Sequence, residues 1–199
     1  MPPSDQELRA RLHASSVAVV GCGGLGSNVA AMLLRSGVRN LTLIDFDVVD
    51  ASNLNRQLFF GDQIGRLKTE ALAETLLRID PDAHLTLHSL RVTAENLVDL
   101  VRDVDVVVEA VDRADTKAMV VNTCMEALPD TPLVTASGLA GYGSANSIAT
   151  ERPCDNLYLV GDLESDVNAG HPLFASRVMV ASAHEAHAAI RRLLGFEEP

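Results

Sequence analysis

One stretch constrains this chain more than any other: Val17-Ala18-Val19-Val20-Gly21-Cys22-Gly23-Gly24-Leu25-Gly26, an apolar run that breaks into glycines and continues over residues 27–36 with helical spacing. It reads as a buried parallel strand turning onto a helix N-terminus. Gly21 permits the tight turn, Gly23 removes a Cβ where backbone would approach a phosphate, and Gly26 lets helix and strand close up, with Gly24 inside the same turn. The free N–H groups and the positive dipole end of such a helix favour a nucleotide phosphate. A second apolar run, 41–44, ends in Asp45, where an acid accepts ribose hydroxyls. These residues fit a nicotinamide or flavin oxidoreductase as well as an ATP enzyme.

Along the rest of the chain, strands and helices alternate. A short helix is expected over 5–13, the first strand over 16–21, and a helix ending near Gly37, a candidate left-handed cap. Strand two covers 41–45. The connection 46–64 gathers Ser52-Asn53-Leu54-Asn55-Arg56-Gln57, and an irregular segment of that length inside a domain is usually functional. A helix over 65–79 carries its core stripe on Leu72, Leu76 and Ile79. Residues 84–88 alternate as a third strand, Thr93 caps a helix through Val101, and 104–109 forms a continuous buried strand. A helix over 116–128, a strand over 132–136 and the glycine-rich turn 137–144 follow. Residues 151–176 give a weak signal, read as a loop with one edge strand at 157–160. An amphipathic helix over 177–194 stops at Gly195. The pattern predicts a single α/β domain over 1–199, a nucleotide-binding core over 14–150 and a loop plus C-terminal helix over 151–199. Its sheet is Rossmann-like, doubly wound and mostly parallel, with helices on both faces and the ligand at the carboxyl ends of its strands.

Charge narrows the partners. A net charge of −11 argues against a nucleic-acid backbone or an anionic membrane surface. No window approaches a membrane span and the polar, acidic start lacks a signal-peptide core, which predicts a soluble cytoplasmic protein. The three cysteines, Cys22, Cys124 and Cys154, form no C-x-x-C pair, so neither a disulfide framework nor a structural zinc site is expected.

Discrimination between the nucleotide chemistries comes from Arg56, Lys68 and Asp112. Lys68 falls in the first turn of its helix, where a cation opposes the helix dipole, so a negative partner is implied. An Arg fork and a Lys point charge are the usual clamps on phosphoryl oxygens. Asp112, just past the strand ending at 109, sits on the ligand edge of the sheet. There it suits a magnesium ion held by one or two carboxylates and phosphate oxygens.

Together these residues resemble a known family. Gly21-Cys22-Gly23-Gly24-Leu25-Gly26, Asp45-Phe46-Asp47, Ser52-Asn53-Leu54-Asn55-Arg56-Gln57, Gly65-Arg66-Leu67-Lys68 and Asp112 are similar to the adenylation domain shared by ThiF, MoeB and the ubiquitin-activating enzymes. The resemblance covers roughly residues 14–150. The segment 137–143 and Val160-Gly161-Asp162 resemble the compact bacterial branch that adenylylates the ThiS carrier of thiamine thiazole synthesis. The resemblance implies Mg-ATP attack by the C-terminal Gly-Gly carboxylate of a ubiquitin-like sulfur carrier, within a homodimer. It implies that Asp45 holds the ribose, Asp47 lies in the nucleotide site, Arg56 and Lys68 hold the phosphates, Asn53 orders the site and Asp112 binds magnesium. The molybdopterin carrier is the neighbouring alternative, and a carrier-docking relative without activity is another. Relatives also carry an arginine that crosses to a neighbouring subunit, for which Arg9 or Arg11 are the candidates here, and a loop cysteine that takes sulfur, for which Cys154 is the candidate.

Plainer readings stand beside these. Asp45 also fits a solvated strand end, Asp112 a helix N-cap, Lys68 a solvated helix face, and Asp47 and Asp50 loop acids. Cys22 and Cys124 read as packed core residues. His184-Glu185-Ala186-His187 lacks the second histidine of a zinc protease motif and reads as a solvated helix face. Phe59 and Phe60 fit either core plugs or a subunit interface.

Overall fold

The computed structural model describes residues 3–166 and 170–198; Met1, Pro2, residues 167–169 of the expected 151–176 loop, and Pro199 lie outside it. Helix α1 (Asp5–Ala14) opens on a Ser4 capping box and leads into β1 (Ser16–Val20), α2 (Gly24–Arg35) and β2 (Asn40–Ile44). Then come α3 (Lys68–Leu77), β3 (His84–His88), α4 (Ala94–Val101), β4 (Val106–Glu109), α5 (Ala114–Ala127) and β5 (Leu133–Ala136). A hairpin of β6 (Ala149–Cys154) and β7 (Leu157–Gly161) precedes α6 (Ala175–Leu193), which Gly195 stops at φ +88. No helix among the described residues is long and apolar enough to cross a membrane.

The seven strands form one sheet in the order β3-β2-β1-β4-β5-β7-β6, parallel throughout except for β6. The Rossmann-like, doubly wound α/β fold expected from the alternation is the fold observed. Alternation along β1 shows why it is a two-faced sheet. Val17 and Val19 join the core under α2, α3 and α6, whereas Ala18 and Val20 join the core under α4 and α5. Each fully buried valine or leucine in these layers contributes about 1.5–3 kcal/mol. Strand order reverses at β1, which has β2 on one side and β4 on the other, the switch point at whose carboxyl edge open α/β sheets generally bind their ligands.

Three local expectations change. The apolar run 157–160 is not an edge strand: β7 lies inside the sheet, parallel to β5, and β6 covers it as the edge. Its continuous apolar pattern is that of a strand buried on both faces. Helix α3 begins at Lys68 rather than Gly65, because Gly65 turns at φ +86 and Leu67 pairs with Val48 in an antiparallel bridge. Finally, the last helix does not present Glu185 to solvent. Glu185 is fully buried and neither carboxylate oxygen has a hydrogen-bond partner among the described residues.

Burial pushes the Glu185 carboxyl well above its ordinary range; Lys117 opposes the shift and Glu109 adds to it. The folded protein therefore keeps a proton that the unfolded chain releases near pH 4.3. Stability present below that value is lost as pH rises toward the folded-state value. Urea unfolding at about pH 5 and pH 8 should show wild type weakening across the interval and a Glu185→Gln variant nearly level, the variant ahead by at least about 1 kcal/mol at the upper pH. A wild-type midpoint that rises with pH, with the variant following in parallel, overturns the assignment.

Candidate functional site

Strand β1 ends against the tip of β4. Gly21 adopts φ +96, and a Cβ there would lie 2.7 Å from the Ala110 carbonyl oxygen. A Cβ on Gly26 would coincide with the Gly21 carbonyl oxygen, so α2 can meet the strand only through glycine. Gly23 differs from both, since its Cβ would meet nothing nearer than Gln57 Nε2 at 3.7 Å. Packing within the chain does not demand glycine at 23, and the space beside it remains for a group from outside. Helix α2 starts with Gly23 as N-cap and no side-chain cap, leaving its first-turn amides to a ligand.

Acids and a buried cation gather beside this turn. Asp45 accepts the Cys22 amide on Oδ2 at 2.7 Å and the Asp47 amide on Oδ1 at 2.8 Å, and each oxygen retains a further lone pair. Burial raises its pKa, opposed by those two bonds and by Lys68. Lys68, the first residue of α3, is 6% exposed and reaches Asp47 Oδ2 from Nζ at 3.1 Å. Its charge also acts on Asp45, Asp50 and the Cys22 thiol. Burial first, and Asp45 second, push that thiol well above its ordinary range, which makes Cys22 a packed and unreactive residue.

The loop 50–58 brings Arg56 to the other side of the turn. A Cβ on Gly24 would lie 3.5 Å from Arg56 Cγ, and the guanidinium donates to Asn55 Oδ1 at 2.9 Å without an ion pair to any carboxylate among the described residues. Two buried polar residues of α2 hold this loop. Asn28 Nδ2 donates to the Gly24 carbonyl at 2.7 Å and the Arg56 carbonyl at 3.1 Å. Ser27 Oγ donates to Gly23 O at 2.6 Å and accepts the Leu58 amide at 3.0 Å. Gln57 lies buried beneath the turn, its Oε1 unpartnered. Asn53 closes the loop's first turn, its Oδ1 accepting the Asp50 amide at 3.4 Å. Sequence reasoning assigned no role to Ser27, Asn28 or Gln57; the available signal was two polar residues on the buried stripe of an otherwise apolar helix.

Asp112 follows β4 at the same edge of the sheet. It is exposed and, among the described residues, makes no hydrogen bond or ion pair. The N-cap of α5 is Arg113, so the capping role for Asp112 does not hold. Its backbone approach is fixed by Glu109, which is fully buried, accepts the Val111 amide at 2.8 Å, and takes Lys117 Nζ and Thr135 Oγ1 at 2.5 Å each. Among the described residues no group of three or more His, Cys, Asp or Glu could hold a metal by itself. An exposed single carboxylate at this edge of the sheet does fit magnesium, which takes few protein ligands and completes its shell with phosphate oxygens.

At the glycine turn Asp47 thus bonds both Asp45 and Lys68, Arg56 lines the turn by its stem, and Asp112 stands two residues beyond Ala110, which packs on Gly21. No direct contact joins Arg56, Lys68 and Asp112. Three other candidates lie apart. Arg11 rests at the opposite edge of the sheet, its Nη2 3.3 Å from a Cβ position on Gly195, and α1, with Arg9, precedes β1 at that same edge. Cys154 is exposed and pairs with Leu157 at the start of β7, a strand length of about 13 Å from the carboxyl edge. Phe59 is buried in the core, whereas Phe60 is half exposed.

A model of the ThiF family matches residues 1–199. The chain is 34% identical over 194 residues to the sulfur carrier protein ThiS adenylyltransferase of Escherichia coli K12, covering 95% of this chain and 76% of that protein. It is 39% identical over 144 residues to the adenylyltransferase and sulfurtransferase MOCS3 of Bos taurus, covering 72% of this chain and 31% of that protein. The chain therefore spans about a third of the length of such relatives. Among solved structures, E. coli tRNA N6-threonylcarbamoyladenosine dehydratase in complex with ATP superposes with a TM-score of 0.86 at 23% identity, covering 95% of this chain and 89% of that one. At that identity the likeness speaks for the fold.

Proposed function

The chain belongs to the ThiF family, and on that premise we propose that it is a nucleotidyltransferase that adenylylates the C-terminal glycine of a ubiquitin-like sulfur carrier, ThiS of thiazole synthesis, acting as a cytoplasmic homodimer. One observation supports this most: a buried ammonium, Lys68, is set beside uncapped helix amides and across the turn from a guanidinium that no carboxylate neutralises. A guanidinium without a carboxylate partner at a glycine turn suits a polyphosphate.

In this reading the carrier carboxylate, already ionised at pH 7, attacks the α-phosphorus of ATP. An oxygen–phosphorus bond forms, the bond to the bridging oxygen breaks, and pyrophosphate leaves with the electron pair. Nothing needs deprotonating, so the work of the chain is placement and charge. The α2 amides and Arg56 hold the phosphates, Lys68 faces charge that grows on the leaving group, and Asp45 offers its remaining lone pairs to the ribose. Magnesium, held by Asp112, would supply further charge on the phosphate oxygens.

The test is mass spectrometry of ThiS-type and molybdopterin-type carriers after incubation with the protein, magnesium and ATP. AMP on the C-terminal glycine of the ThiS-type carrier is the expected result. AMP on the molybdopterin-type carrier alone would reassign the substrate. Carrier binding without pyrophosphate release would make the protein a docking relative, and NADH binding more tightly than Mg-ATP would make it an oxidoreductase.

A further inference from the structure

The segment 137–147 leaves the carboxyl end of β5, beside the tip of β4, and is tied down by a charge pair that the chemistry above does not use. Arg177, in the first turn of α6, is 4% exposed. Its Nη1 donates to the carbonyls of Gly143 at 2.9 Å and Ser144 at 2.7 Å, while Nη2 donates to Ser147 Oγ at 3.3 Å and to the Asp162 carboxylate. Asp162 in turn accepts the amides of Glu164 at 3.0 Å and Ser165 at 2.8 Å. The Gly141 amide donates to Pro172 O at 2.8 Å. A Cβ on Gly138, at φ +82, would fall on the Asp162 carboxylate.

Two further facts give this network a direction. The next residue of α6, Val178, lies 3.3 Å from a Cβ position on Gly24, so one helical turn touches both the segment and the nucleotide turn. At the tip of the segment Tyr142 is 82% exposed, more than any other large apolar side chain of the described residues. Buried ion pairs add little net stability, because desolvation offsets the attraction. What this one supplies is a fixed height for an exposed aromatic at the carboxyl edge of the sheet.

We propose that Arg177 and Asp162 are positioning residues that hold 137–147 as the acceptor-side wall of the site, with Tyr142 contacting the tail of the incoming carrier. The inference rests on the adenylylation reading. It predicts a separation of effects: the wall governs how the acceptor is bound, not how ATP is bound.

The experiment measures carrier KM and kcat by pyrophosphate release from the ThiS-type carrier, and ATP dissociation constants by calorimetry, for Tyr142→Ala, Asp162→Asn, Arg177→Lys and Arg177→Met. Tyr142→Ala is expected to raise the carrier KM about tenfold, with kcat and ATP affinity within about twofold of wild type. Asp162→Asn should do the same, and Arg177→Lys should recover part of what Arg177→Met loses. Tyr142 is too exposed for its truncation to unfold the protein, so that variant decides the matter if Arg177→Met does not fold. An unchanged carrier KM in Tyr142→Ala and Asp162→Asn overturns the proposal, as does ATP affinity falling in step with it. If wild type transfers AMP to no carrier, the adenylylation reading fails first and this inference with it.

Discussion

Replacing Asp112 by alanine is expected to lower carrier-dependent pyrophosphate exchange about a hundredfold while moving the melting temperature by no more than about 2 °C. The carboxylate is exposed and partnerless within the described chain, so folding has no use for it. Lys68→Met should fall by a similar factor for a different reason. It removes a fixed charge, and it leaves Asp47 without its ion pair. Magnesium titration separates the two: added magnesium should recover part of the Asp112→Ala loss and none of the Lys68→Met loss. Wild-type exchange in Asp112→Ala would end the magnesium assignment, whatever Lys68→Met does.

The second large effect is structural. Gly26→Ala places a methyl group of the first turn of α2 on the Gly21 carbonyl oxygen, a backbone atom at the end of β1. Neither partner can rotate away, so the variant should lose at least about 3 kcal/mol of stability and its measurable ATP binding together. Gly23→Ala is the control. Its Cβ meets only Gln57 Nε2, at 3.7 Å, so the fold should tolerate it, and any loss should appear in ATP affinity alone. Urea denaturation and calorimetry with ATP distinguish these outcomes. Equal stability losses in the two variants would mean that Gly23 serves packing rather than a ligand.

The glycine run and the alternation of apolar segments were sufficient to read the sheet and the turn that follows β1, because strand burial and turn conformation are local demands on residue type. Lys68 at a helix start was legible for the same reason, as a cation where the dipole disfavours one. What stayed hidden depends on pairing across distance. The continuous apolar run 157–160 suits an interior strand, but nothing in it names β5 as its partner or shows that β6 folds back to shield it. Glu185 sits among alanines and histidines and seemed solvated; only the packing of α6 on the sheet shows it enclosed. Ser27, Asn28 and Arg177 join loops distant in sequence, and no local pattern announces such a bond.

Helices α2 and α6 close on each other across most of the chain's length: Ser182 Oγ lies 3.4 Å from the Leu25 carbonyl, and Val178 stands over Gly24. During synthesis the first half of the nucleotide turn therefore emerges from the ribosome long before the helix that covers it. Until α6 follows, the nascent chain exposes the apolar flank of α2 and leaves Gly24 without the side chain that covers it. Trapping of ATP, and escape from chaperones that grip bare α2, should begin at one translation length, once α6 has cleared the exit tunnel.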